Sequence, residues 1–296
     1  MNNMIYDVAI VGGGIAGYSA ALTAKNLKLN YLWLGDKNFG KKTVKAEYVR
    51  NYPAFMGDGE GFVRTLEKQK AEEGILLTEK RIDGVYKDKN GFFLTAGKEN
   101  FSARAVILAT GVELSAGFGD DFIGRGVSYC AVCDGALYKN KKIAAVLYSE
   151  EEKDEAEYLA SFASEVLVFS KYPVAFQAEN IRLIEETPKS VSGKLRVERI
   201  KTDRAEYEVE GLFHLGKSAP PAVLCGGLKT EGAHITVNRD LSTNLEGLFA
   251  AGDITGKPYQ FVKAAGEGCT AAYSVKARLN ASERANILEK NQNQGN

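Results

Sequence analysis

The chain has 296 residues, 45% of them hydrophobic and 26% charged, with 38 basic side chains against 38 acidic ones. A chain of this length buries enough apolar surface to fold without disulfide or metal staples, and it suits two domains better than one. Zero net charge excludes a protein that coats nucleic acid or anionic lipid by bulk electrostatics, and no apolar run reaches the roughly 20 residues that span a bilayer.

The opening reads as a βαβ unit. Tyr6 to Val11 is a short apolar strand, Gly12-Gly13-Gly14 supplies the turn, Ile15 to Leu27 carries Ala and Leu at helical spacing, and Asn30 to Leu34 is the next strand. Residues 35–60 read as a loop, Phe62 to Glu73 as an amphipathic helix, and the segments flanking Asn90-Gly91 as a hairpin. Ala105 to Ala109 is a buried strand, and a domain crossing is expected around 115–128. A second βα unit follows: strand Lys141 to Tyr148, helix Glu151 to Phe162, strand Glu165 to Ser170. Arg196 to Tyr207 looks antiparallel. A second crossing near 240–247 leads to a strand at Gly247 to Gly252, a helix from about Phe261 to Leu279, and a polar tail with a frayed end. The start, Met1-Asn2-Asn3-Met4, has no basic stretch leading into an apolar one, and four cysteines are no disulfide framework, so a cytoplasmic setting is expected.

Gly12-x-Gly14-x-x-Gly17 lies between a strand and a helix, the context in which such glycines bind a dinucleotide. The first makes the turn, the second lets backbone approach a pyrophosphate, and the third permits close helix–strand packing. Asp36, 19 residues beyond Gly17, is placed to accept from ribose hydroxyls. NAD and FAD both satisfy this pattern.

Cys130-Ala131-Val132-Cys133-Asp134-Gly135 holds a Cys-x-x-Cys motif. Zinc would need two more ligands, and Cys225 and Cys269 lack the paired spacing, so no metal site is expected. Inert buried thiols are the bland alternative. A redox-active dithiol is favoured, because this spacing permits a reducible bridge and an acid stands beside it. Cys225 and Cys269 are expected to pack as small hydrophobes.

Gly12 to Gly17, Asn51-Tyr52-Pro53, Ala109-Thr110-Gly111, Cys130 to Gly135, Ala251-Gly252-Asp253 and Ala264-Ala265-Gly266-Glu267-Gly268 together resemble the low-molecular-weight thioredoxin reductases in order and spacing, over nearly the whole chain. The resemblance implies an α/β fold of two Rossmann-like (FAD/NAD(P)-binding) domains of the three-layer ββα type. The first would be discontinuous, 1–114 with 245–296, and bind FAD; the second, 115–244, would carry the dithiol. It also implies a homodimer. The flavin site would comprise Gly12, Gly13, Gly14, Ile15, Ala16, Gly17, Asp36, Asn51, Ala109, Thr110, Gly111, Gly252, Asp253, Gln260 and Phe261, with Asp253 at the ribityl chain and Gln260 beside the isoalloxazine. Cys133 would face the flavin, Cys130 would attack thioredoxin's disulfide, and Asp134 would serve as acid/base.

One departure from the family decides the expected donor. Where the family has a second glycine turn for NADPH, this chain reads Tyr148-Ser149-Glu150-Glu151-Glu152-Lys153-Asp154-Glu155, and from Glu150 to Glu157 six acids stand against one lysine. Bulky side chains block backbone approach to a pyrophosphate, and clustered carboxylates repel it. The basic pair and later arginine that hold the 2′-phosphate are replaced by Ser170-Lys171-Tyr172-Pro173 and Gln177. Tyr259 replaces an arginine before Gln260, and Lys41-Lys42 an otherwise small or glutamine-bearing loop. FAD without NADPH resembles the ferredoxin-dependent flavin thioredoxin reductases, with ferredoxin and thioredoxin as partners. The deeply rooted flavin type, whose donor is unsettled, is disfavoured because the tail has no aromatic residue after Tyr273. A reductase of another disulfide and an FAD-binding sensor without turnover are the remaining alternatives. Ferredoxins are usually acidic, and Lys37, Lys41, Lys42, Lys45 and Arg50, set against Asp36 and Glu47, form the densest basic segment for one to dock on.

Overall fold

Ile5–Val11 forms strand β1, and from Val8 onward neither of its faces meets water, as expected for the middle of a parallel sheet. The computed structural model describes residues 4–294 except 37, 38, 40, 45, 47, 113–117, 123, 130, 149 and 216–220. After the glycine turn, helix α1 (Ile15–Asn26) buries Ala16, Ala20, Ala21 and Ala24 along one face, and β2 (Tyr31–Gly35) returns parallel to β1. Residues 35–60, expected as loop, contain a short helix, Lys41–Val44, and a hairpin of Val49–Tyr52 with Phe55–Gly57. Phe39, Thr43 and Val49 anchor this segment by burial, which supplies the order that its polar composition concealed.

Helix α2 (Gly59–Glu72) is capped by Asp58, whose carboxylate accepts from the Gly61 N–H at 2.6 Å, and it buries Phe62 and Leu66. Strands β3 (Thr78–Glu79), β4 (Gly84–Asp88), β5 (Gly91–Ala96) and β6 (Glu99–Leu108) complete this half. β4, β5 and β6 form an antiparallel meander, while the far end of β6 runs parallel to β1.

The second compact unit is residues 113–223. Its five-stranded sheet is wholly parallel. Strands β7 (Val127–Ser128), β8 (Lys142–Leu147), β9 (Glu165–Ser170), β10 (Ile181–Ile184) and β11 (Leu212–Leu215) lie in the order β10-β9-β8-β11-β7. Between β7 and β8 comes the short helix α3 (Ala131–Asp134), and between β8 and β9 helix α4 (Lys153–Ala160). Only that part of the helix expected from Glu151 is α-helical, since Glu150–Glu152 forms a tighter 3-10 turn ahead of it. The antiparallel signal near 196–207 belongs to a three-stranded sheet of 188–192, 199–202 and 206–208.

The first unit comprises 1–112 and 224–296. The return therefore comes earlier than the expected boundary at 245, because Leu224, Cys225, Leu228 and Ile235 are buried in this unit's core. Strand β12 (Leu248–Ala250) adds parallel to β6. Helix α5 spans Phe261–Gln294, well past the expected end near Leu279. No glycine or proline interrupts 280–294, strong helix formers outnumber its four asparagines, and Arg104 ties the extension down by pairing with Glu283 at 3.0 Å. Along β1, Val8 and Ile10 face a core shared with α1, α2 and α5, whereas Ala9 and Val11 face one shared with Val85, Phe92 and Leu94 of the meander. The parallel sheet thus lies between helices on one face and β structure on the other.

Candidate functional site

At Gly12, Gly13 and Gly17 the glycine turn is packed so tightly that no side chain could enter it. Gly12 has φ +129°, and a Cβ there would stand 2.1 Å from the Ala109 carbonyl oxygen; one on Gly13 would stand 2.1 Å from the Asp36 carbonyl oxygen. A Cβ on Gly17 would meet the Gly12 carbonyl oxygen at 2.0 Å, and one on Gly252 the Ala16 side chain at 2.8 Å. Four segments far apart in sequence, 12–17, 36, 109–111 and 252–253, thereby converge on one turn. At its centre Gly14 has nothing within 4 Å of where its Cβ would be. Gly14 caps α1, whose first turn carries no acid. Ile15 and Ala16 turn their side chains into the core, so what they offer a ligand is backbone N–H. An open, acid-free helix N-terminus walled by backbone fits the pyrophosphate of a dinucleotide such as FAD.

Asn51 and Gln260 meet although 209 residues separate them, the Asn51 amide donating to the Gln260 side-chain oxygen at 2.6 Å. Together with Tyr48, Arg50, Tyr259 and Phe261 they line a cavity of about 410 Å³. Phe261 also packs on Phe62, with ring centroids 5.4 Å apart. Thr110 is exposed and Asp253 partly buried.

Sequence reasoning overlooked two charges that hold the Gly252–Gly256 loop. Glu267 accepts from the Gly252 N–H and the Thr255 hydroxyl, each at 2.8 Å. Lys263 donates to the Gly252 and Gly256 carbonyls at 3.0 and 2.9 Å and pairs with Glu267 at 3.1 Å. The available signal was an opposite-charge pair four residues apart at the start of an otherwise small-residue helix. His234 and Tyr259, also unforeseen, share a 2.6 Å hydrogen bond beside the cavity.

In the second unit, Cys130 lies outside the described residues and Cys133 belongs to α3. Asp134, half-buried, accepts from the Ser128 hydroxyl at 2.6 Å, which joins the residues on either side of the Cys-x-x-Cys. Burial, followed by the charge of Asp134, pushes the Tyr138 phenol above its ordinary pKa. Burial likewise raises the pKa of the Cys225 thiol, so that cysteine packs as a hydrophobe. Cys269 is partly buried.

The turn between β8 and α4 differs from the glycine turn at each point. Glu152 stands at the N-cap position of α4 without a capping side-chain hydrogen bond to the helix, and Asp154 and Glu155 occupy its first turn. Tyr148 directs its hydroxyl onto His214 at 2.9 Å. Glu157 accepts from the backbone N–H groups of Gln177 and Ala178 at 2.5 and 3.2 Å, so amides after β9 are taken by the protein's own carboxylate. Among the described residues no three His, Cys, Asp or Glu cluster to hold a metal ion, and no helix is long and apolar enough to cross a membrane.

Residues 6–150 match the pyridine nucleotide-disulphide oxidoreductase family. The thioredoxin reductase of Listeria monocytogenes is 31% identical across 92% of this chain and 93% of its own length. Among solved structures, a ferredoxin-flavin thioredoxin reductase from Clostridium acetobutylicum superposes with a TM-score of 0.87 at 37% identity, covering 93% of this chain and 98% of that one. A thioredoxin reductase from Gloeobacter violaceus gives a TM-score of 0.72 at 28% identity, covering 95% and 96%.

Proposed function

The chain belongs to the thioredoxin reductase family of flavin-dependent disulfide oxidoreductases, and we propose that it reduces thioredoxin through FAD and the Cys130–Cys133 pair with reduced ferredoxin, not NADPH, as donor. The contrast between its two βα turns carries the choice of donor. The first presents an open glycine at an acid-free helix N-terminus; the second presents Glu152, Asp154 and Glu155 at the equivalent place. A carboxylate cluster there repels a pyrophosphate, and one lysine, Lys171, does not replace the forked contacts of an arginine cluster. The likeness to a ferredoxin-flavin reductase at 37% identity supports the same reading.

Gly12 to Gly17 would hold the pyrophosphate of FAD, Asp36 its ribose, and Asn51, Gln260 and Phe261 the neighbourhood of its ring. Bound there, the flavin supplies the conversion of single electrons from ferredoxin into a pair for a disulfide. Cys130, as thiolate, attacks one sulfur of thioredoxin's disulfide and expels the other as thiolate, leaving a mixed disulfide. The Cys133 thiolate then attacks the Cys130 sulfur, restoring the Cys130–Cys133 bridge and releasing dithiol thioredoxin. Asp134, the residue after Cys133, moves the protons that these thiols shed and regain, its carboxylate oriented by Ser128.

The test is anaerobic mixing of the oxidised, flavin-loaded protein with NADPH, NADH and reduced ferredoxin in separate reactions. Flavin absorbance should bleach rapidly only with ferredoxin. Rapid, saturable bleaching by either nucleotide would refute the donor assignment. Cys133→Ser protein should trap a single-cysteine thioredoxin through Cys130; capture only in the reverse experiment, through Cys133 of Cys130→Ser protein, would reverse the two thiol roles.

A further inference from the structure

His214 stands at the end of β11 with none of its surface exposed, and the chemistry proposed above makes no use of it. Leu212 and Phe213 lie opposite Val127 and Ser128 of β7. One step further along that register Tyr129 stacks on the His214 ring, with centroids 5.0 Å apart and planes inclined by 28°. Tyr129 is buried too, and the next residue in the chain is Cys130. Nε2 of His214 lies 3.0 Å from the Phe118 carbonyl oxygen, which can only accept, so Nε2 carries a proton. In the neutral ring Nδ1 is then the acceptor, and the Tyr148 hydroxyl donates to it at 2.9 Å. Phe118 adds an edge-on ring contact at 5.0 Å. The imidazole is thus held at both ring nitrogens, and the residue stacked on its face directly precedes the Cys-x-x-Cys.

We propose that His214 is a positioning residue for the dithiol: it holds Tyr129, which precedes Cys130, to the sheet, while Asp134, which follows Cys133, is tied back to Ser128. The inference rests on Cys130 and Cys133 being the redox pair. Holding both flanks of the Cys-x-x-Cys keeps each thiol at high effective concentration about the other and so stabilises their disulfide. A histidine that merely fills the core would leave that equilibrium untouched.

Full-length, flavin-loaded protein is equilibrated in glutathione buffers, where the dithiol and oxidised glutathione give the protein disulfide and two reduced glutathiones. The peptides bearing Cys130 and Cys133 are then read by alkylation and mass. His214→Gln and Tyr129→Leu should each lower the equilibrium constant for disulfide formation about tenfold, about 30 mV for a two-electron couple, and Tyr148→Phe by less. The double variant should do no more than either single one, since both break one chain of contacts. Flavin content should match the parent's. Folded variants that titrate with the parent's constant overturn the proposal. If His214→Gln does not fold, Tyr129→Leu and Tyr148→Phe, which retain the imidazole, decide by the same criterion. A parent whose two cysteines never pair overturns the dithiol assignment itself, and this inference with it.

Discussion

Tyr18 lies in the core between Trp33 and Phe39, and its hydroxyl has no hydrogen-bond partner among the described residues. Burial first, then the charges of Glu73 and Glu67, push its pKa from 10.0 to about 12. The folded state therefore keeps a proton that the unfolded chain sheds above pH 10, and stability falls as pH rises through that window, by about 1.4 kcal/mol per unit. Tyr31, Tyr52 and Tyr138 are shifted the same way, so the comparison with a variant isolates Tyr18. Tyr18→Phe removes an unpartnered buried hydroxyl and should stabilise the protein by ~1 kcal/mol at neutral pH. Urea titrations at pH 7 and pH 11 should show that advantage growing; an advantage that shrinks would contradict the assignment. At the glycine turn, Gly14→Asp would set a carboxylate in the open space at the α1 terminus and should release flavin, read as lost absorbance after gel filtration. Gly12, Gly13 and Gly17 were legible in the sequence because backbone crowding admits no side chain at those positions, and a requirement for glycine is visible as glycine. The His214 and His234 contacts were not, since a lone histidine carries no mark of what it will touch.

Elements show the same division. β1, α1 and β2 could be read from apolar periodicity and a glycine turn, but the end of α5 could not, because the polar residues that dominate 280–294 read as a tail. What fixes the start of α5 to the Gly252 loop is the Lys263–Glu267 pair, with side chains only 18% and 21% exposed. Glu267→Ala strips the acceptor from the Gly252 N–H and Thr255 and leaves Lys263 with two carbonyls and the Thr255 hydroxyl but no counter-charge. A cost of about 2–3 kcal/mol is expected, below that of a fully buried pair, together with weaker flavin retention. Glu267→Gln, which keeps an acceptor oxygen, should lose less. Equal unfolding midpoints for Glu267→Ala and the parent would show that the loop holds itself. The early return at Leu224 belongs to this scale too: apolar residues near 224–235 signal burial, but nothing in their pattern says which core receives them.

For the molecule as a whole, zero net charge gives no overall attraction for an acidic donor, so steering must come from a local patch. Arg50 lies over the Tyr48 ring at 4.9 Å beside the Asn51 cavity, and Lys41 and Lys42 open the preceding short helix, while Lys37 and Lys45 fall outside the described residues. Replacing Lys41, Lys42 and Lys45 by Ser should slow flavin reduction by ferredoxin and flatten its salt dependence, without changing reduction by a small chemical reductant. Equal rates at low and high salt would move the docking surface elsewhere and leave the donor in place.

Trp33, the chain's one tryptophan, donates its indole N–H to the Gly12 carbonyl at 2.9 Å, within the turn proposed to hold FAD. The protein thus carries a tryptophan reporter in the first unit and none in the second. Energy transfer to a bound flavin should quench the emission of Trp33, so recovery of that emission follows cofactor loss without any added dye. During denaturation the same signal reports the first unit alone, while circular dichroism sums both; transitions that separate would mean that the two units unfold one after the other, and coincident ones that they unfold together.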